Sequence, residues 1–254
     1  MTAISADLAP GFLLLLALGA ASGGFINGLA GFGTALFTLG FWLQIMAPVE
    51  AVAIVVVMSV FSGLQGVWIV RHSILDNPRR LARFLIPAIF GIPLGVAALA
   101  VLDARSLKIV IGLFLILYGG FFTLRRTLPK LERPTPWVDS FIGFLGGIFG
   151  GAASLSGALP TMWLSMRPWP KSETRAVLQP FNVTVLTLAM ALFALQGAYD
   201  TRALLRIAMA LPITMVFAQL GIMVFKRLSD GQFRRLLIAM MFLSGLILLI
   251  RELF

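Results

Sequence analysis

Apolar runs of about 20 residues recur along almost the whole chain, and that is the length needed to cross a bilayer core of about 30 Å. Of the 254 residues, 59% are hydrophobic and only 12% are charged, against roughly 25% charged in a soluble domain. The longest polar stretch, Arg125 to Asp139, is too short to be more than a linker. The implied fold class is all-α: a polytopic membrane protein with about eight hydrophobic segments. Those segments run over residues 10–46, 49–70, 82–102, 106–124, 138–166, 173–198, 203–225 and 231–251. Met1 to Pro10 holds Asp7 and no Lys or Arg, so it lacks the basic start of a secretory signal and the first segment is expected to stay in the protein.

Two of the segments are interrupted by glycine. The first reads Gly23-Gly24-Phe25-Ile26-Asn27-Gly28-Leu29-Ala30-Gly31-Phe32-Gly33-Thr34. The second runs from Gly143 through Gly146, Gly147, Gly150, Gly151, Ser154 and Ser156 to Gly157. Glycine weakens helices and permits positive φ, so each stretch is expected to break a helix. Irregular backbone survives in a bilayer only where protein buries it or where it lines a wet cavity. Close helix packing through small residues is the competing explanation. The pairing of the two stretches favours a functional cavity.

The pairing is part of a wider internal repeat. Residues 25–31 lie over 144–150, Pro48 and Glu50 over Pro170 and Glu173, Leu81-Ala82-Arg83 near Leu204-Leu205-Arg206, and Lys108 and Gly119 over Arg234 and Gly245. The expected organisation is one membrane domain made of a first repeat (1–127), a cytoplasmic linker (128–137) and a second repeat (138–254). Basic residues set orientation, because cytoplasmic loops are enriched in Lys and Arg. If all eight segments span, the 20 basic residues divide almost evenly between the two sides. If the first segment of each repeat is instead a hairpin that leaves on its side of entry, Arg71, Arg79, Arg80, Arg83, Arg125, Arg126, Lys130, Arg133, Arg167, Lys171, Arg175, Lys226, Arg227, Arg234 and Arg235 fall inside. Only Arg105, Lys108, Arg202, Arg206 and Arg251 remain outside. That split favours two inverted four-segment repeats with broken or re-entrant first helices. Residues 10–46 are also too many for one straight span and suit two half-length helices.

The glycine stretches, Gly-Phe-Ile-Asn-Gly-Leu-Ala-Gly-Phe-Gly at 24–33 and Gly-Phe-Leu-Gly-Gly-Ile-Phe-Gly-Gly-Ala at 143–152, and the two-repeat layout resemble those of the sulfite exporter TauE/SafE family. The resemblance covers nearly the whole chain. It implies export of sulfite, an organosulfonate, or a related sulfur-containing or carboxylate anion across the plasma (inner) membrane.

The residues themselves suit an anion. All ten carboxylates, Asp7, Glu50, Asp76, Asp103, Glu132, Asp139, Glu173, Asp200, Asp230 and Glu252, fall at segment ends or in loops. Intramembrane carboxylates usually mark cation or proton paths, and their absence argues against one. A broken helix offers unpaired N–H groups and the positive end of its dipole, which is a ready anion site. The expected substrate-binding set is therefore Asn27, Gly28, Gly31, Gly33, Thr34, Gly147, Gly150, Gly151, Ser154 and Ser156, joined by Gln179 and Asn182 from the sixth segment. For Gln179 and Asn182, substrate contact and ordinary interhelical hydrogen bonding stand level. Arg83 and Arg206, matched by repeat, would gate the two mouths as anion attractors, with snorkelling to headgroups as the alternative. Glu50 and Glu173 complement helix dipoles. Trp42, Trp68, Trp137, Trp163 and Trp169 fall near segment ends, as an interfacial aromatic belt would.

Other chemistry finds little support. There is no cysteine, and the single His72 sits in a basic loop, so no ordinary metal site and no cofactor is expected. No nucleophile–histidine set or buried acid–base pair points to an enzyme. The net charge of +10 belongs to loops and lipid headgroups rather than nucleic acid. The expected partners are a small anion and membrane lipid, and homo-oligomerisation is left open. The sequence thus reads as a secondary transporter of a small anion working by alternating access, with a passive anion channel and a non-transporting scaffold as the alternatives.

Overall fold

In a computed structural model, residues 9–76, 78–101 and 131–229 are described, with isolated positions from 106 to 120 and from 231 to 250. Among the described residues the regular structure is helical and no strand occurs. Eight helices follow in order: α1 (Pro10–Ala30), α2 (Thr34–Trp42), α3 (Pro48–Asp76), α4 (Pro78–Leu99), α5 (Pro136–Ala153), α6 (Ala158–Ser165), α7 (Lys171–Leu195) and α8 (Thr201–Arg227). Five of these, α1, α3, α4, α7 and α8, are long and apolar enough to cross a membrane. Lys108, Gly119, Arg234 and Gly245, which aligned the last segment of each repeat, lie outside the described residues.

Local signals set the helix starts. α1 and α5 open with Pro10 and Pro136 in the first turn, where proline loses no hydrogen bond. Glu50, Asp139 and Glu173 stand in the first turns of α3, α5 and α7, on the positive end of each dipole. Asp200 caps α8 by accepting from the Ala203 N–H at 2.7 Å. Pro87 and Pro93 in α4, Pro180 in α7 and Pro212 in α8 sit within helices that continue past them.

Residues 10–42 and 136–165 each fold back as a pair of helices. α2 returns along α1: the Trp42 indole donates to Leu16 O at 3.1 Å and the Thr38 hydroxyl to Gly19 O at 2.9 Å. α6 returns along α5, and the Trp163 indole donates to the Asp139 carboxylate at 2.7 Å. The legs are unequal, with 21 and 9 residues in the first hairpin and 18 and 8 in the second. This corrects the expectation of two half-length helices, since at 1.5 Å per residue α1 alone is about 32 Å long. Trp42 is also a correction. It is fully buried, its ring laid against Gly19, because the returning leg carries it into the core. Trp68 and Trp137 are 69% and 88% exposed, as belt residues would be.

Helices α3 and α7 form the centre. Ala51 through Met58 are all buried, as in a helix surrounded by protein. The two run antiparallel: Gln179 lies against Gly63 and Gly66, and the Tyr199 phenol donates to Ala53 O at 3.1 Å. Burial pushes the pKa of that phenol well above its ordinary range, so it stays protonated and able to donate. On one flank α1 packs parallel to α8, with Gly24 on Thr214 and Gly28 on Ala218. On the other α5 packs parallel to α4, with Gly143 on Phe84 and Gly147 on Ala88. At each of these four glycines a Cβ would fall well inside van der Waals distance of a carbonyl oxygen, the close backbone approach that small residues permit.

These contacts also revise the repeat register. Gly221 sits on α1 at Phe25 and Leu29, and Gly91 sits on α5 at Phe144 and Ile148. Since 25 and 29 match 144 and 148, Gly91 corresponds to Gly221, an offset of 130 (221 minus 91). Matching Arg83 to Arg206 had required 123 (206 minus 83). The third segments are thus shifted by two helical turns from the sequence match, and Arg83 and Arg206 are not equivalent in packing.

Candidate functional site

The two breaks are built from left-handed residues. Gly31 and Gly33 have φ of 85° and 92°, which glycine adopts at no steric cost. Two such residues in three turn the chain from α1 into α2, and the Gly31 N–H closes α1 on Asn27 O at 2.7 Å. In the second hairpin the turn falls on Ser154, with φ of 57°, the one non-glycine residue at positive φ among those described. Its N–H bonds Gly150 O at 3.0 Å. The breaks meet: the Phe32 side chain of the first lies directly on Gly157 of the second, where a Cβ would be 2.6 Å from Phe32 Cβ. α2 starts at the first break and α6 at the second, and neither start has a side-chain cap. The N-terminal ends of two helix dipoles therefore stand at the junction.

Polar side chains surround it. Gln179, fully buried, touches Gly31, donates to Gly63 O at 3.1 Å and accepts from Arg175 Nε at 3.2 Å. Asn182 accepts from the Ser156 hydroxyl, which ties α7 to the second break. Asn27 donates to Ser59 O at 3.2 Å and Ser62 Oγ at 2.5 Å, tying α1 to α3. Four buried polar atoms here, Thr34 Oγ1, Ser154 Oγ, Ser59 Oγ and Asn27 Oδ1, have no hydrogen-bond partner among the described residues. Unpaired buried polar groups are costly, so their clustering about one junction needs a reason beyond packing.

The glycines expected at the site divide. Gly31 and Gly33 make the first break, and Gly150 lies against Ser156 and Val185 beside the second. Gly28, Gly147 and Gly151 instead face the backbones of Ala218, Ala88 and Ile92 on neighbouring helices. Of the two arginines expected to gate the mouths, Arg206 is buried and paired with Glu50 at 2.5 Å, its guanidinium 4.9 Å over the Phe12 ring. It does not snorkel. Arg83 is 40% exposed and stands 4.0 Å from Asp139. Asp139 also takes Arg167 at 3.3 Å. A second cross-link joins Glu173 to Arg80 at 2.8 Å.

Arg175 was assigned to a loop by the charge count, yet it is buried beside the first break. Its Nη2 donates to Gly28 O at 2.8 Å. Ser59 and Ser62 were missed as well. The signal for Arg175 was its place one turn inside an apolar segment, four residues before Gln179. Among the described residues no group of three or more His, Cys, Asp and Glu is placed to hold a metal.

A multi-pass bundle in which two folded-back hairpins meet among neutral donors and a buried arginine is that of a membrane transport protein. The chain belongs to the sulfite exporter TauE/SafE family, whose model matches residues 15–248. It is similar to the probable sulfite/organosulfonate exporter TauE of Cupriavidus necator, with 25% identity over 205 residues, covering 79% of each chain. No solved structure matches it.

Proposed function

We propose that the protein is a secondary transporter that exports sulfite or a small organosulfonate across the plasma membrane. The observation that carries this reading is the junction of the two hairpin breaks. Two uncapped helix starts, the unpartnered Thr34 and Ser154 hydroxyls and the buried Arg175 gather there. Among the described carboxylates, Glu50, Glu173 and Asp139 are engaged in ion pairs with Arg206, Arg80 and Arg167, and Asp200 in the α8 cap. Such a junction attracts an oxyanion and would repel none. Asn27, Gly31, Gly33, Gly150, Ser156, Gln179 and Asn182 complete the proposed site, with Gly28, Gly147 and Gly151 holding the helices that frame it.

The proposed architecture is two inverted repeats that rock about this junction in alternating access. Several contacts support it. α1 packs on α8 of the second half and α5 on α4 of the first. Glu50 and Glu173, in the first turns of α3 and α7, each pair with an arginine of the other half, Arg206 on α8 and Arg80 on α4. These two cross-links are candidates for the gates, in place of Arg83 and Arg206 as a symmetric pair. In this reading the end that carries Arg80, Arg83, Arg167 and Arg175 faces the cytoplasm.

The transport claim is tested in proteoliposomes with sulfite, sulfonates, thiosulfate and small carboxylates, with and without a pH gradient. Saturable sulfite or sulfonate flux is expected, and a chain that moves none of them is not this transporter. Single cysteines at Ile45 and Pro168 should label from opposite sides; labelling from one side would sink the inverted arrangement. T34V and S154A should each raise the KM on the order of fivefold, the equivalent of one neutral hydrogen bond of about 1 kcal/mol, with unchanged unfolding midpoints.

A further inference from the structure

Three arginines are buried within the described bundle, Arg167, Arg175 and Arg206. Arg167 pairs with Asp139 and Arg206 with Glu50. Arg175 pairs with no carboxylate among the described residues. It is 2% exposed, and its charge is met only by dipoles. Nη2 donates to Gly28 O at 2.8 Å, Nη1 to Leu29 O at 3.5 Å and Nε to Gln179 Oε1 at 3.2 Å, while the guanidinium lies 4.2 Å over the Phe225 ring. The two carbonyls belong to the last turn of α1, whose dipole presents only about half a negative charge. A full charge held in a low-dielectric interior against half a charge is an unbalanced site.

The guanidinium also has donors to spare. It carries five N–H groups, and three are committed to the protein, which leaves two. Its stem passes the first break: Arg175 Cγ is 3.6 Å from the place a Cβ on Gly31 would take. The side chain that carries the unbalanced charge therefore runs past the first break and ends against the last turn of α1 that leads into it.

We propose that Arg175 is the residue that recognises the charge of the bound anion, and that it selects an oxyanion, offering its two remaining N–H groups to two oxygens of a sulfite or sulfonate group. Gln179 acts as a positioning residue, since it holds Nε and so fixes the plane of the fork. A planar fork matches two oxygens that share charge, whereas a lysine ammonium presents no such fork and a halide offers it a single atom in place of two. Discrimination of sulfite and sulfonate against chloride follows. This assignment rests on the transport reading for the identity of the anion, but not on alternating access.

The test uses the full-length protein in detergent and in liposomes, as wild type, R175K, R175Q and, as a control outside the site, R71Q, at an exposed arginine that contacts Trp68. Binding is read by calorimetry with sodium sulfite, sodium methanesulfonate and sodium chloride at matched ionic strength, and flux by sulfite efflux. Wild type and R71Q should bind sulfite and methanesulfonate at least tenfold more tightly than chloride. R175K should bind sulfite at least tenfold more weakly than wild type and lose the preference over chloride, and R175Q should bind none of the three. If R175K has the wild-type Kd and KM for sulfite, the assignment falls while transport stands. If liposomes carry no sulfite but binding by the purified protein is lost in R175K, transport falls and the assignment stands. Should both Arg175 variants fail to fold, the wild-type preference decides, because equal binding of sulfite and chloride overturns the assignment.

Discussion

Replacing Glu50 with Gln should destabilise the protein several times more than replacing Glu173 with Gln, although the two residues occupy matching first turns. The difference lies in their partners. Arg206 is 2% exposed and Glu50 26%, with 2.5 Å between them. Arg80 and Glu173 are 33% and 45% exposed. Neutralising Glu50 takes a carboxylate from a buried guanidinium in a medium that solvates charge poorly, and breaking a buried pair costs about 3–5 kcal/mol. An exposed pair is worth about 1 kcal/mol or less. The cation–π contact of Arg206 with Phe12 cannot replace a carboxylate, because it is worth about 2 kcal/mol even when desolvated. Unfolding midpoints of E50Q and E173Q in the same detergent check this. The double variant E50Q/R206M should recover much of the loss, since it removes both charges and not one. Equal shifts in the two single variants would mean that Arg206 is not a buried charge.

How far the fold could be read from the sequence depends on the range of each signal. The two helix breaks were legible because a glycine cluster inside an apolar run is a local signal. The unequal legs on either side of them were not, because Gly31 and Gly33 mark where the chain turns but not how far the second leg returns. The Trp42 burial follows from that return, and nothing near Trp42 in the sequence separates a core indole from a belt indole. The clustering of Thr34, Ser154, Gln179 and Asn182 was expected from their polarity within apolar segments. The Glu50–Arg206 and Glu173–Arg80 pairs were not, because each joins residues about a hundred or more positions apart, and each residue alone has an adequate local role as a dipole partner or an interfacial cation. Arg175 was misread for the opposite reason. A charge near a segment boundary looks like a loop charge, and only the third dimension brings the end of α1 over it. The register of the third segments was read from three adjacent side chains, whereas the packing is governed by where Gly91 and Gly221 let the helices approach.

Substituting Gly147 should produce a large loss of folded protein. Gly143, Gly147 and Gly151 repeat every four residues along α5 and meet the carbonyl oxygens of Phe84, Ala88 and Ile92. A Cβ at Gly147 would also stand 2.8 Å from the Ala88 carbonyl carbon and Cα. Those atoms are backbone, so no rotamer change can relieve the clash, and the helices must separate as rigid bodies. Separation loses contact along the whole face and not only at one residue. Overpacking costs about 1–3 kcal/mol in ordinary cores; G147A should fall at the upper end of that range, and G147V should leave little monodisperse protein. G28A should behave like G147A, because it meets Ala218 in the same way. Gly11 has nothing within 4 Å of its would-be Cβ, so G11A should be neutral or stabilising by up to about 1 kcal/mol, the difference in helix propensity. The comparison also separates two roles for these glycines. If Gly147 only lets the helices approach, the fraction of G147A that survives purification should keep the wild-type KM for sulfite, while T34V and S154A raise it without changing the yield.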